Sequence, residues 1–267
     1  MRRTNPGVNG GGHLAGQKIL ITRPEQQGNA LLKKLSGLGA EVVHYPVLEI
    51  VPLAQSDERR QDLKQLLMDL DCYHHIIFIS TNAVAYGIEW MEQFWPQWPV
   101  GIQWYAMGMA TAKALLRRDL VASSPTVAMN SEALLEIMDL RNIAEEKVLI
   151  VRGVGGREYL AERLRANGAT VNYAECYQRQ IPNKPAGELS AIIESQQITA
   201  ACINSGESLE NLISLAGDGV LRSLAVVVPS ERVAQMAEQQ GFNRVIQADN
   251  ASDDACIAAL QQIAESL

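Results

Sequence analysis

Histidine and cysteine are both down to four residues in this chain of 267. Cys72, Cys176, Cys202 and Cys256 are widely spaced, form no C-x-x-C pair and have no clustered histidines to complete a metal site, so the usual sequence pattern of such a site is missing. The thiols read as reduced and mostly buried, as in a cytosolic protein. Net positive charge is lacking as well. With 23 Lys and Arg against 30 Asp and Glu, the formal net charge is -7, so bulk electrostatics repel nucleic acid and steer no polyanion from a distance. An anionic ligand must be attracted locally. Long apolar runs are also absent: MRRTNPGVNGGGHLAG carries two arginines with no signal-like stretch behind them, and no later segment approaches a membrane span. These absences predict no nucleic acid partner, no membrane partner and a cytoplasmic location. Residues 1–17 read as a flexible leader, with His13 a solvated residue inside it.

The residues that are present suit a folded protein. Hydrophobic residues make up 47% and charged residues 20%, an ordinary balance for a globular chain that buries a core, and the length suits two compact lobes. An internal repeat organises them. ILITRPEQQGNALLKKLSGLGAEVVH and VLIVRGVGGREYLAERLRANGATVNY align without a gap, placing Arg23 on Arg152, Leu31 on Leu160, Leu35 on Leu164, Gly39 on Gly168 and Ala40 on Ala169. Each copy reads as a buried strand, a turn, an amphipathic helix with leucines four apart, a glycine helix stop and a second strand. Shared β-α-β grammar explains the spacing, but not the arginine that ends the first strand in both copies, where α/β sheets present ligand groups.

Fainter echoes follow each copy, HHIIFISTNAVAYGIE against TAACINSGESLENLIS and IQWYAMGMATAKALL against LAVVVPSERVAQMA. The fold class is therefore α/β, with two similar lobes, each a small parallel sheet flanked by helices, joined by a two-stranded linker. The first lobe is expected to be discontinuous, 18–45 plus 183–267, the second to span 54–174, and the linker strands to be 46–53 and 175–182, where prolines and β-branched residues disfavour helix. Beyond the helix of the first copy, helices are expected near 58–69, 82–93, 109–117, 131–139, 157–166, 187–196, 207–215, 231–240 and 253–265.

Six strand-to-helix junctions carry hydroxyls, small residues and free backbone N–H groups: Arg23-Pro24, Ser80-Thr81-Asn82, Gly108 to Thr111, Arg152-Gly153 to Gly156, Asn204-Ser205-Gly206 and Ser230-Glu231-Arg232. Helix capping accounts for any one of them. Six together, at the carboxyl ends of parallel strands in two lobes, fit a polyanionic ligand held in a crevice. The stretch GVGGRE lacks the third glycine of a dinucleotide fingerprint, and no Walker sequence occurs, so no nucleotide cofactor is expected. His74 and His75 read as turn residues, His44 as a lobe-edge residue, and Trp95, Trp98 and Trp104 as packing. Tyr177, in a linker strand, is the exception, because its phenol can give a proton or hydrogen bond to a leaving group while neutral at pH 7. The competing reading is a tyrosine that packs at the joint.

The ordered set ILITRP with Arg23, IIFISTNAV, AMGMATAKAL with Thr111, VLIVRGVGGRE, AECYQR with Tyr177, CINSGESL with Ser205, and VVPSERVA with Ser230 and Arg232 resembles uroporphyrinogen-III synthase along nearly the whole chain. Asn82 and Pro24-Glu25 depart from the usual pattern. The resemblance implies a cyclising hydro-lyase of haem biosynthesis that acts on hydroxymethylbilane, a linear tetrapyrrole with eight carboxylates. Loss of the terminal hydroxyl gives an azafulvene cation, a spiro intermediate follows, and the ring closes with the terminal pyrrole inverted. It implies Tyr177 as the catalytic residue. Substrate would be bound by Arg23, Ser80, Thr81, Asn82, Thr111, Arg152, Gly153, Ser205, Gly206, Ser230 and Arg232. With no metal-ligand cluster and no complete nucleotide fingerprint, no metal and no cofactor are expected; a monomer is expected because only two extended segments join the lobes, with room for transient contact with the enzyme that supplies the bilane. Two other readings stay open, a non-catalytic anion-binding protein and a nicotinamide enzyme of the doubly wound class.

Overall fold

The computed structural model describes residues 13–126, 130–138, 143–217, 219 and 223–265. In chain order, β1 (Lys18–Ile21), α1 (Glu25–Gly37) and β2 (Glu41–His44) open the fold. β3 (Glu49–Pro52), α2 (Arg59–Met68), β4 (His75–Phe78), α3 (Thr81–Met91), β5 (Gln103–Ala106), α4 (Met109–Leu116) and α5 (Ser131–Ile137) follow. Next come β6 (Lys147–Gly153), α6 (Tyr159–Ala166), β7 (Thr170–Gln180), α7 (Glu188–Ser195), β8 (Ala200–Cys202) and α8 (Gly206–Ala216). β9 (Ala225–Val228), α9 (Glu231–Gln239), β10 (Arg244–Gln247) and α10 (Asp253–Glu265) complete it. The helix expected over 131–139 ends at Ile137 in the described residues, and residue 139 lies outside them.

The chain divides into two compact units. One runs up to Glu49 and resumes at Gln180; the other is Ile50–Arg179. The first unit holds a sheet in the order β10-β9-β8-β1-β2, all parallel. The second holds β3-β7-β6-β4-β5, in which β7, β6, β4 and β5 are parallel and β3 lies beside β7.

Parallel sheets covered on both faces need strands that are apolar throughout, because successive side chains point to opposite faces. In β1, Ile19 and Ile21 enter one buried cluster with Leu31 and Leu35 of α1, while Leu20 enters a second with Leu209 and Leu212 of α8. In β6, Val148 and Ile150 pack with Leu160 and Leu164 of α6, while Leu149 and Val151 face Ile88 and Met91 of α3. The two repeat copies thus fold alike, as β1-α1-β2 and β6-α6-β7. Their helices also end alike. Gly39 and Gly168 both have φ +90, and the next N–H, of Ala40 or Ala169, reaches back to the carbonyl of Leu35 or Leu164 at 3.2 Å. This left-handed stop requires glycine's lack of a Cβ.

Several single-residue expectations need correction. His75 is the first residue of β4, not of a turn; it is 7% exposed, and its Nε2 is bonded to Glu146. Leu14, within the expected leader, is fully buried, and its N–H donates to the Leu38 carbonyl at 3.1 Å. Three of the cysteines are buried, as expected, and Cys72 is exposed. Trp104 lies in β5 and meets Trp98 edge-on at 5.9 Å, and Trp95 donates from Nε1 to the Leu67 carbonyl, so both act in packing.

Candidate active site

In the second unit the carboxyl ends of β4, β5 and β6 deliver Ser80, Gly108 and Arg152-Gly153, and β7 carries Tyr177 beside them. Ser80 starts α3 with an extended backbone, and its Oγ accepts the Ala83 N–H at 3.0 Å. The same oxygen lies 3.1 Å from the Tyr177 hydroxyl, where either group can donate. One hydroxyl therefore serves as a helix cap and as a partner to the phenol.

Tyr177 reaches that position through an irregularity of register. Arg152 pairs with Glu175 but Gly153 pairs with Tyr177, so one extra residue is inserted in β7. Strict alternation would put Cys176 and Tyr177 on opposite faces. The bulge instead places Ala174, Cys176 and Tyr177 all in one buried cluster. The Tyr177 ring lies over Gly153 and stacks against Tyr86 with centroids 5.4 Å apart. Tyr86 is itself held by a 2.9 Å bond from its hydroxyl to the Ile50 carbonyl, and burial raises its phenol pKa above the ordinary value. Tyr177 is thus a fixed ring, 6% exposed, with its hydroxyl directed at Ser80.

Thr81 is exposed and Asn82 half-buried in the first turn of α3. Thr111 is buried on α4, whose cap residue, Gly108, has no side chain to satisfy the first-turn N–H groups. Arg152 is 3% exposed and fully engaged within its own unit. Its guanidinium bonds Glu158 at 3.1 Å, approaches Glu175 at 3.8 Å and lies 4.4 Å above the Tyr173 ring. The Tyr173 hydroxyl and Arg152, in that order, hold the Glu158 carboxyl below its ordinary pKa.

In the first unit Arg23, Ser205-Gly206 and Ser230-Arg232 follow the ends of β1, β8 and β9. Arg23 is ion-paired to Asp253 at the start of α10 and donates to the Ala251 carbonyl at 2.9 Å. Ser205 caps α8, accepting the Ser208 N–H at 3.1 Å. Ser230 starts α9 with the same extended backbone but makes no side-chain cap. Arg232 is exposed, resting on the Met236 sulfur at 3.3 Å. A Cβ on Gly206 would stand 3.2 Å from the Met236 Sδ and 3.4 Å from an Arg232 nitrogen. The predicted residues therefore fall into one set per unit, each at the carboxyl edge of its own sheet. Tyr86, which the motifs did not single out, joins the second set. Its only signal in the sequence is its place on α3, one and a half turns after the Ser80 cap.

Among the described residues no group of three or more His, Cys, Asp or Glu side chains stands where it could hold a metal ion. No helix of the described residues is long and apolar enough to cross a membrane.

Residues 29–258 match the family model described as "Uroporphyrinogen-III synthase HemD". The chain is 36% identical to the uroporphyrinogen-III synthase of Salmonella typhimurium over 249 residues, covering 91% of this chain and 99% of that protein. It is 34% identical to the Escherichia coli protein of the same name, with the same coverage. Among solved structures, a uroporphyrinogen III synthase mutant from Thermus thermophilus aligns with a TM-score of 0.60 at 13% identity, covering 94% of this chain and 100% of that one. The Helicobacter pylori uroporphyrinogen-III synthetase aligns with a TM-score of 0.59 at 14% identity, covering 92% and 99%. At that identity the structures speak for the fold alone.

Proposed function

The chain belongs to the uroporphyrinogen-III synthase family and performs that cyclisation on hydroxymethylbilane, and we propose that Tyr177 is the group that assists it. The observation that carries this reading is the Tyr177 hydroxyl, set 3.1 Å from Ser80 Oγ on a ring fixed by Gly153 and Tyr86. The phenol gives its proton to the departing terminal hydroxyl, which leaves as water. The Ser80 O–H then donates to the Tyr177 oxygen and steadies the charge that develops there.

The bilane's carboxylates are taken by the junctions. Ser230, Arg232 and the uncapped first turns of α4 and α9 suit them best, because their N–H and guanidinium donors are not already spent on internal side-chain caps. Ser80, Thr81, Asn82, Thr111, Ser205 and Gly206 add backbone and hydroxyl donors. Arg23 and Arg152 act by shaping the loops that carry these groups, since each is ion-paired inside its own unit. Positioning supplies most of the rate, because the chain ends must be held for the spiro route while the bilane can close unaided to the uninverted isomer. The reaction so described uses no metal and no cofactor. A cytoplasmic monomer, with transient contact to the enzyme that makes the bilane, belongs to the same reading.

The test is purified protein with freshly generated bilane and chromatographic separation of the product isomers. Isomer III is expected; isomer I at the spontaneous rate would overturn the assignment of the chemistry to these residues.

A further inference from the structure

The first unit contains a second chemical feature that the cyclisation does not use. Cys202 closes β8 and Cys256 lies in the first turn of α10; they are 3% and 7% exposed, and their sulfurs are 3.1 Å apart. A disulfide needs about 2.05 Å, so closure asks for a shift of only about 1 Å. Cys72 is exposed and Cys176 is buried, both in the other unit.

We propose that Cys202 and Cys256 are a paired-thiol modification site that oxidises to an internal disulfide and thereby weakens substrate binding in the first unit. The two cysteines line a cavity of about 10 Å³, room for one water-sized molecule, together with Arg23, Asn250 and Ala251. Arg23 lines the same cavity, and the hydrogen bond between the two thiols, with Arg23 a smaller contribution, lowers the Cys256 pKa below its ordinary value against the opposing effects of burial and Asp253.

The chemistry balances with a peroxide as oxidant. The Cys256 thiolate attacks one peroxide oxygen, the O–O bond breaks, and the hydroxide released takes a proton to become water, leaving a sulfenic acid. The Cys202 sulfur then attacks the Cys256 sulfur, the S–O bond breaks, and the departing hydroxide leaves as water with the Cys202 proton. The two thiols lose two electrons in all, and one peroxide becomes two waters.

The consequence for binding follows from what the two cysteines are attached to. Asp253, one turn before Cys256, holds Arg23, and Ser205 lies three residues beyond Cys202. Drawing α10 toward β8 moves Asp253, and Arg23 and the adjoining junctions move with it. This part rests on the functional reading above; the cross-link itself does not.

The experiment treats the reduced full-length protein with hydrogen peroxide, removes the oxidant before adding bilane, and maps alkylated peptides by mass. A Cys202–Cys256 cross-linked peptide is expected, reversed by dithiothreitol, with KM raised about 3- to 10-fold and kcat less affected. Cys256→Ala and Cys202→Ala, of which either suffices if the other folds poorly, are expected to keep their own KM through the same treatment. Two free, alkylated thiols after peroxide, in protein of native circular dichroism, would overturn the site. A cross-linked protein with unchanged KM, or a Cys256→Ala protein as sensitive as the parent, would overturn its effect on binding. Because the mass readout needs no turnover, failure of the site and failure of the enzyme reading are told apart.

Discussion

Gly153 lies so close beneath Tyr177 that a methyl group on it would stand 2.5 Å from the ring's Cε2 and 2.8 Å from its Cζ. The ring can occupy its place only because this position has no side chain. Gly153→Ala is therefore expected to push the phenol off Ser80 while leaving the fold intact. A displacement of about 1 Å at a reacting group can cost about 10²-fold, so kcat should fall by about 10- to 100-fold. Steady-state kinetics with circular dichroism check this, and an unchanged kcat would mean that the phenol's position is irrelevant to turnover.

Tyr177→Phe keeps the ring and removes only the hydroxyl. The expected loss is in kcat, by about 10- to 100-fold, the modest end of acid-base contributions because the leaving group departs readily. Unconverted bilane should appear as isomer I. Stability should change by no more than about 1–2 kcal/mol, the scale of one hydrogen bond. If Ser80 acts through Tyr177, adding Ser80→Ala to Tyr177→Phe should lower kcat little further, whereas independent roles would multiply.

Ser205 and Ser230 separate capping from binding. Ser205 accepts the Ser208 N–H, so Ser205→Ala should cost about 1 kcal/mol of stability as well as raising KM. Ser230 makes no side-chain cap, so Ser230→Ala should raise KM with the melting temperature unchanged. Equal stability losses in the two variants would mean that Ser230 is a cap after all.

Alkaline pH should unfold the protein through its buried phenols. Burial, with the Glu188 hydrogen bond second, pushes the Tyr45 pKa up to about 12, and burial pushes Tyr73 up to about 12 as well. A raised pKa means that the folded state holds its proton after the unfolded state has released it. The stabilising contribution is therefore complete below about pH 10 and is lost as pH rises through the folded value. Thermal melts should fall between about pH 10 and pH 12, and Tyr45→Phe should flatten that fall in part. An unaltered slope in the variant would remove Tyr45 from the account.

What was legible in the sequence is what local chemistry decides. Ser80 and Ser205 announce helix starts because an N-cap satisfies N–H groups two or three residues on, and Gly39 and Gly168 announce helix ends because only glycine takes that φ without cost. The repeat was legible because both copies share the glycine stop and the leucines four apart, Leu31 and Leu35 in one, Leu160 and Leu164 in the other. The irregularity that turns Tyr177 toward Ser80 was not, since one inserted residue leaves no mark in a run as uniform as TVNYAECYQRQ. Nor was the engagement of the arginines. Arg23 meets Asp253 across 230 positions, and the environment of Arg152 comes from Glu158, Tyr173 and Glu175 on two different elements. His75 read as polar punctuation because its partner, Glu146, is 71 residues away. Tertiary pairing chose those partners, and nothing beside them in the chain names them.

The strand order of the first unit also bears on how the chain is made. β1 pairs with β8, and β8 with β9, so strands completed early in synthesis must wait for residues 200–228 before their sheet has an interior. Ile50–Arg179, by contrast, is a continuous run whose sheet can close while the rest is still emerging. Because distant pairings cost loop entropy before they return contacts, the interrupted unit is the later one to fold during translation. Through that interval Leu20, whose partners Leu209 and Leu212 lie on α8, remains uncovered on the nascent chain, while Ile19 and Ile21 already have Leu31 and Leu35 of α1 to pack against.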